Sequence, residues 1–309
     1  MMEGIGDVLR YQHRAMATIF EIMIADEDPA FAAGAALAAF EEIDRLEQDL
    51  SRYSANSDIT RINNLPPHGS VQVGLDTFQC LRLSRQFWEE TGRAFDVTLG
   101  ALMNCWVGGD KSLLHPSPEQ IVRATERSGM HRLDLDEATM TVRVDDAGPL
   151  LDLGAIGKGY AVDRAVELLK EWGVVSALVH GGTSSAYAFG NCPQNQGWPV
   201  TLSYPGQLSE ILEKVNLKGE GLGGSGIKKG LHIIDPRTSR PVEGRQAAWV
   251  LSDSATRSDA VSTACMVMTR KEIEQYVAGN PQLWAMIVEE SPGPVLRFGR
   301  AAAAKRVSV

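Results

Sequence analysis

Residues 150–182 read LLDLGAIGKGYAVDRAVELLKEWGVVSALVHGG, and the fold class turns on this stretch. Leu151-Asp152-Leu153 leads into a glycine-rich turn. A helical pattern follows, with Val162, Ala165, Val166, Leu169 and Trp172 along one face and Gly173 as its stop. Val174 to Val179 then reads as a buried strand that ends in His180-Gly181-Gly182. A helix joined by glycine turns to a buried strand is the unit of a layered fold that mixes both element types.

Working outward, Phe20, Ile22 and Ile24 alternate with their neighbours as in a strand. From Pro29 to Tyr53, Ala36, Leu37, Phe40, Ile43, Leu46 and Leu50 mark one face of a long helix. The acids Glu41, Glu42, Asp44, Glu47 and Asp49 read as its solvated face. A polar loop with Pro66-Pro67 separates it from a second helix over about 76–90. Residues 105–148 read as loop-rich, with short strands at 132–134 and 141–144. Downstream, 247–251, 284–288 and 295–298 read as strands. A helix over 259–268 turns Val261, Ala264, Cys265 and Met268 to the core. The order is not a strict βαβ rhythm, and no linker divides the chain. The expectation is therefore an α+β fold with mixed sheets and packed helices, a single domain over 1–309 with a tail from about residue 300.

The composition narrows the function. Of 309 residues, 30 are Lys or Arg and 39 are Asp or Glu, a net charge of -9; this argues against nucleic acid as the main partner, which needs a basic field. Apolar residues at 44% and charged residues at 22% place the chain among globular proteins rather than disordered ones. No apolar run approaches the ~20 residues that span a bilayer. The first ten residues lack a basic segment followed by an apolar one, so a cytoplasmic location is expected unless a leader was trimmed. Cys80, Cys105, Cys192 and Cys265 are scattered and read as isolated reduced thiols.

Several segments could carry chemistry. The turn from Asp152 to Asp163 lets backbone groups approach a ligand, and the helix after it offers a positive end to an anion. It is not a Walker loop, because Gly159 stands where Ser or Thr is needed, and it does not meet the Rossmann spacing. Asp259 and Thr263 are four apart, on one face of a helix and away from the Val261 and Cys265 stripe. A carboxylate beside a hydroxyl is hard-oxygen chemistry and suits Mg²⁺. The same pair could be a helix-dipole partner and a back-bonded threonine. His232 precedes Ile233-Ile234-Asp235-Pro236; it could be a base or a structural histidine. Leu50 to Tyr53 and Phe95 to Trp106 place aromatics at helix exits, where a flat ring could stack.

Taken together and in order, these segments resemble the ApbE family of flavin transferases. Met16-Ala17-Thr18 is similar to its early Met-Gly-Thr. Leu50 to Asn63, Phe95 to Trp106, Asp152 to Asp163, Gly181-Gly182, His232 to Pro241 and Asp259 to Ala264 each match one of its motifs. The likeness covers roughly 16–290. It implies Mg²⁺ held by Asp259, Thr263 and the backbone oxygen of Ala155. It implies FAD contacts at Met16, Tyr53 (stacking on the flavin), Ala94, Phe95, Asp96, Asp152, Lys158 and the neighbourhood of His232. Ala17, Val97, Ala155, Thr183 and Ser239 depart from the family pattern; Thr183 loses a polar contact that an Asp would make.

The resemblance implies transfer of FMN from FAD to a Ser or Thr hydroxyl of an acceptor flavoprotein, with AMP released. Asp259 and Thr263 would act through the metal and His232 would take the hydroxyl proton. The same residues would serve an FAD pyrophosphatase, with water as acceptor, or an FAD-binding protein without turnover.

Overall fold

The structure is a computed structural model that describes residues 8–109, 112–227, 233–290 and 293–299. His232 and the 300–309 tail lie outside the described residues. Fifteen strands and eight α-helices are assigned among the described residues. Eight strands form the main sheet, in the order Val8–Ala15, Thr18–Ala25, Ala177–Gly181, Ser185–Phe189, Glu220–Gly226, Arg245–Ser252, Trp284–Glu289 and Val295–Gly299. Every neighbouring pair in it is antiparallel. The expected α+β class holds; among the described residues the pairing between named strands is antiparallel throughout, and parallel contact is confined to an isolated bridge between Leu99 and Leu150.

The period of two along each strand divides two cores. Ile22, Val179, Ala285 and Ile287 face the helices Pro29–Leu50, Gly157–Glu171 and Ala255–Val267. Leu178, Trp284 and Met286 face the other way, against a two-stranded ribbon of Trp198–Tyr204 and Gln207–Leu217 that contributes Trp198, Leu202, Val215 and Leu217. A three-stranded sheet of Ser70–Gln72, Thr141–Val144 and Leu133–Asp136 lies beside these layers. Leu99, Leu102, Ala124 and Ile234 form a small third core.

The helix Pro29–Leu50 begins where Asp28 caps it, accepting from the Ala30 and Phe31 amides. Its acids are less free than their spacing predicts: Glu42 and Asp49 take Arg45, and Asp44 takes His13. Two expected core positions face solvent, Leu37 at 59% and Trp172 at 43% exposure. The expected strand at Phe20–Ile24 is one arm of a hairpin whose first arm, Val8–Ala15, the sequence reading missed. Met16 and Ala17 turn it with positive φ at both positions. All four cysteines are free, as expected.

Candidate active site

The glycine-rich turn is built by its own short-range bonds. The Asp152 carboxylate accepts the Gly154 amide at 2.7 Å, and the Leu153 carbonyl accepts the Ile156 and Gly157 amides. Lys158 folds back and donates to the Gly154 carbonyl at 2.8 Å. Two earlier motifs brace this turn from outside. Arg52 Nε lies 3.0 Å from Asp152 Oδ2, and Asn63 makes paired bonds to the Leu151 backbone. The Asp152 amide bonds to the Val97 carbonyl. Segments a hundred residues apart in sequence thus meet at Leu151 and Asp152.

The helix Gly157–Glu171 crosses the helix Ala255–Val267 at a point where no side chain fits. A Cβ at Gly159 would collide with the Ala255 carbonyl oxygen and the Asp259 Cβ, so only glycine permits the approach. The bare Gly159 amide then donates to Asp259 Oδ2 at 3.0 Å. One turn on, Asp163 caps the second helix from outside it, accepting from the amides of Ala255 and Thr256 and the hydroxyls of Ser254 and Thr256. Beneath that helix runs Glu220–Gly226. There a Cβ on Gly223 would strike the Ser258 carbonyl, so the strand also needs glycine to seat the helix.

The helix Ala255–Val267 starts four residues before the expected 259 and is buried on nearly every side. Asp259, expected on the face away from the core, is itself 2% exposed. Burial pushes its carboxyl up, against Lys158, the Gly159 amide and the Ser185 hydroxyl, which favour the charged form. Lys158 Nζ is 3.8 Å away, longer than a direct hydrogen bond. Thr263 Oγ1 lies 2.8 Å from Ser225 Oγ.

Asp259, Thr263, Ala155, Lys158, Asp152, Ala94 and Asp96 all line one cleft of about 820 Å³. Its other wall is the main-sheet face and the ribbon, including His180, Ser185, Ser225, Trp249 and residues 199–206. Phe95, Met16 and Tyr53 are not among the lining residues. Phe95 is buried with its ring edge-on to Phe87 at 6.3 Å. Met16 is half-buried at the hairpin turn and packs on the main core. Tyr53 is 81% exposed, with the Arg52 guanidinium 4.9 Å from its ring centre. His232 falls outside the described residues. The sequence reading missed Ser185, Ser225 and His180 as site residues, and the whole ribbon. The alternate glycines Gly221 and Gly223 were the available signal, since they mark a strand that something must approach closely.

Among the described residues no three His, Cys, Asp or Glu side chains cluster as a metal cage. The donor set is one carboxylate, one hydroxyl and nearby backbone oxygen, at the mouth of a helix that presents its N-terminal end to the cleft. A set of this kind is the donor type that a hard cation takes when ligand oxygens complete its coordination.

The comparisons with known proteins name the class of protein. The ApbE family model matches residues 16–287, and the chain belongs to the ApbE family. It is 27% identical over 296 residues to the FAD:protein FMN transferase of Salmonella typhimurium, covering 91% of this chain and 84% of that one. Among solved structures, the flavinyl transferase ApbE of Pseudomonas stutzeri superposes with TM-score 0.84 at 26% identity, covering 96% of each chain. The ApbE protein of Thermotoga maritima superposes with TM-score 0.85 at 27% identity, covering 94% of this chain and 97% of that one.

Proposed function

We propose that the chain transfers the FMN half of FAD to a Ser or Thr hydroxyl of an acceptor flavoprotein and releases AMP. The observation that carries this reading is the Asp259 carboxylate: buried, short of donors, and set with Thr263 and Lys158 at the glycine turn of a cleft large enough for a dinucleotide. The names of its relatives, over most of their length, support it.

Asp259, Thr263 and the Ala155 carbonyl fit a Mg²⁺ ion by donor type. When bound, the ion would supply positive charge to the pyrophosphate oxygens. The chain's own groups do the remaining work. Lys158 and the N-terminal end of its helix add positive potential at the phosphates. Asp152, fixed by Arg52 and by the Gly154 amide, holds the turn against them. Ala94 and Asp96 are assigned to the ligand by their place at the cleft, while Phe95, buried between them, is assigned by the family resemblance alone. Met16 and Tyr53, which do not line the cleft, are assigned to the flavin end by the family resemblance, and Tyr53 has an exposed ring that suits stacking. In the reaction the acceptor oxygen forms a bond to the FMN phosphorus. The anhydride P–O bond breaks, and its electron pair leaves on AMP. The hydroxyl proton passes to His232, a role that rests on sequence alone.

The test is release of AMP and FMN from FAD with Mg²⁺, with EDTA, and with and without a candidate acceptor. AMP together with fluorescent flavin bound to the acceptor is the expected result. Equal AMP and free FMN regardless of acceptor would make the chain a pyrophosphatase, and intact bound FAD in every sample would overturn both.

A further inference from the structure

Among the described residues, His180 is the one histidine lining the cleft, yet its ring is already engaged on both sides. Nδ1 lies 3.2 Å from the Gly182 carbonyl oxygen and Nε2 lies 3.1 Å from Glu21 Oε1. Each ring nitrogen faces an oxygen acceptor of the protein, so neither offers a lone pair to the cleft. Behind it, Glu21 is buried and accepts from Gln12 Nε2 at 2.5 Å and from Arg10. Burial would raise the Glu21 carboxyl, but Gln12, Arg10 and His180 outweigh it and hold it below its ordinary value. Gln12, Glu21 and His180 are direct cross-strand partners, a polar line across three strands that runs into the cleft wall.

The far end of that line is a turn. The Gly182 amide donates to the Ile19 carbonyl and its own carbonyl is the one His180 holds. The Ser184 carbonyl accepts the Gly224 amide at 2.6 Å. Ser185 is the cross-strand partner of Gly223, the glycine on which Ser258 and Asp259 sit, and it lines the cleft with Asp259. We propose that His180, held by Glu21, is a positioning residue that clamps the Gly182–Ser185 turn and through Ser185 sets the Asp259 carboxylate for its cation. The inference rests on the function proposed above for the purpose of the site, but its primary readout is cation binding alone.

The experiment titrates Mn²⁺ into the full chain without FAD, followed by its EPR signal, and measures Mg²⁺ activation of FMN transfer in parallel. His180→Ala is expected to bind Mn²⁺ about tenfold more weakly, the low end for outer-shell partners of a metal site, and to need correspondingly more Mg²⁺. The KM for FAD at saturating Mg²⁺ is measured alongside, because a rise in it with metal affinity intact marks a direct FAD contact rather than the clamp. His180→Asn places an amide where Nδ1 was and is expected to restore Mn²⁺ affinity; His180→Gln reaches only the Nε2 position and is not. The Asn and Gln pair carries the test should the alanine variant not fold. Unchanged Mn²⁺ affinity in all three variants would overturn the proposal. Rescue by Gln and not Asn would also overturn it, as would a rise in FAD KM with metal affinity intact, or a wild type that binds no Mn²⁺. Weakened Mn²⁺ binding without any FMN transfer by the wild type would instead leave the clamp standing and defeat the proposed function.

Discussion

Two carboxylates, Asp163 and Asp259, sit on the two helices that cross behind the cleft, and both are pushed up by burial. Asp163 is fully occupied: two amides and two hydroxyls of Ser254, Ala255 and Thr256 surround it, and it closes a helix end. Asp259 is more buried and less satisfied, with one amide, one hydroxyl and a lysine at 3.8 Å. Burial alone does not separate a structural acid from a working one. What separates them is the number of donors already in place, since a cavity of about 310 Å³ adjoins Asp163 as well.

That contrast can be broken by experiment. Asp259→Ala is expected to lower FMN transfer by on the order of a thousandfold while the chain stays folded, because transition-state charge loses its main support. An active variant would put the cation elsewhere. Asp163→Ala reverses the pattern. It strands several donors at a helix start and should cost about 3 kcal/mol, roughly 6 °C in Tm, with the Mn²⁺ affinity of the remaining folded protein little changed. Loss of Mn²⁺ binding without loss of Tm in that variant would erase the distinction between the two acids.

A smaller effect sharpens it by pH. In the metal-free protein the raised Asp259 pKa means the folded state holds the proton more tightly. That contribution is full below the ordinary value of 3.8 and is lost as pH rises through the folded value. Asp259→Asn cannot ionise, so it should gain on the wild type in Tm as pH climbs from 4 to 8. The gain is about 1.4 kcal/mol for every tenfold by which folding tightens the hold of Asp259 on its proton. Mg²⁺ should close that gap by stabilising the wild type alone; a gap unaffected by Mg²⁺ would count against the assigned ligand. Smallest of all, Tyr53→Ala is expected to raise the KM for FAD about threefold at constant kcat, the scale of one exposed stacking contact. No change would remove Tyr53 from the flavin site.

The sequence made one half of this cleft legible. Gly154 to Asp163 and Asp259 to Thr263, each with an ordinary structural reading of its own, stood out by their joint presence and order, and the structure lines one cleft with Gly154, Ala155, Lys158, Asp259 and Thr263. The opposite wall was not readable. Ser185–Phe189 and Glu220–Gly226 are short strands that pair with each other across the whole ribbon between them, and Gly221 and Gly223 hide the alternation a strand shows. The burial of Asp259 was misjudged for a related reason. The helix Ala255–Val267 is small-residue rich, and a strand of glycines beneath it makes its polar face as enclosed as its apolar one. Arg52 and Asn63 were seen as part of a motif, but their task, holding the Leu151-Asp152 backbone, depends on contacts no local pattern encodes.

The cap that Asp163 places on a helix 92 residues later also fixes when the protein becomes competent. During synthesis at about 5–20 residues per second, the glycine turn emerges roughly 5–20 s before the helix that carries Asp259. A partly made chain has its turn and its lysine but no acid for the cation, and the helix that brings the acid gets its start from a residue already waiting. Assembly of the proposed cation site is therefore a late event tied to long-range closure, and on that proposal a chain stalled before residue 255 does not consume FAD.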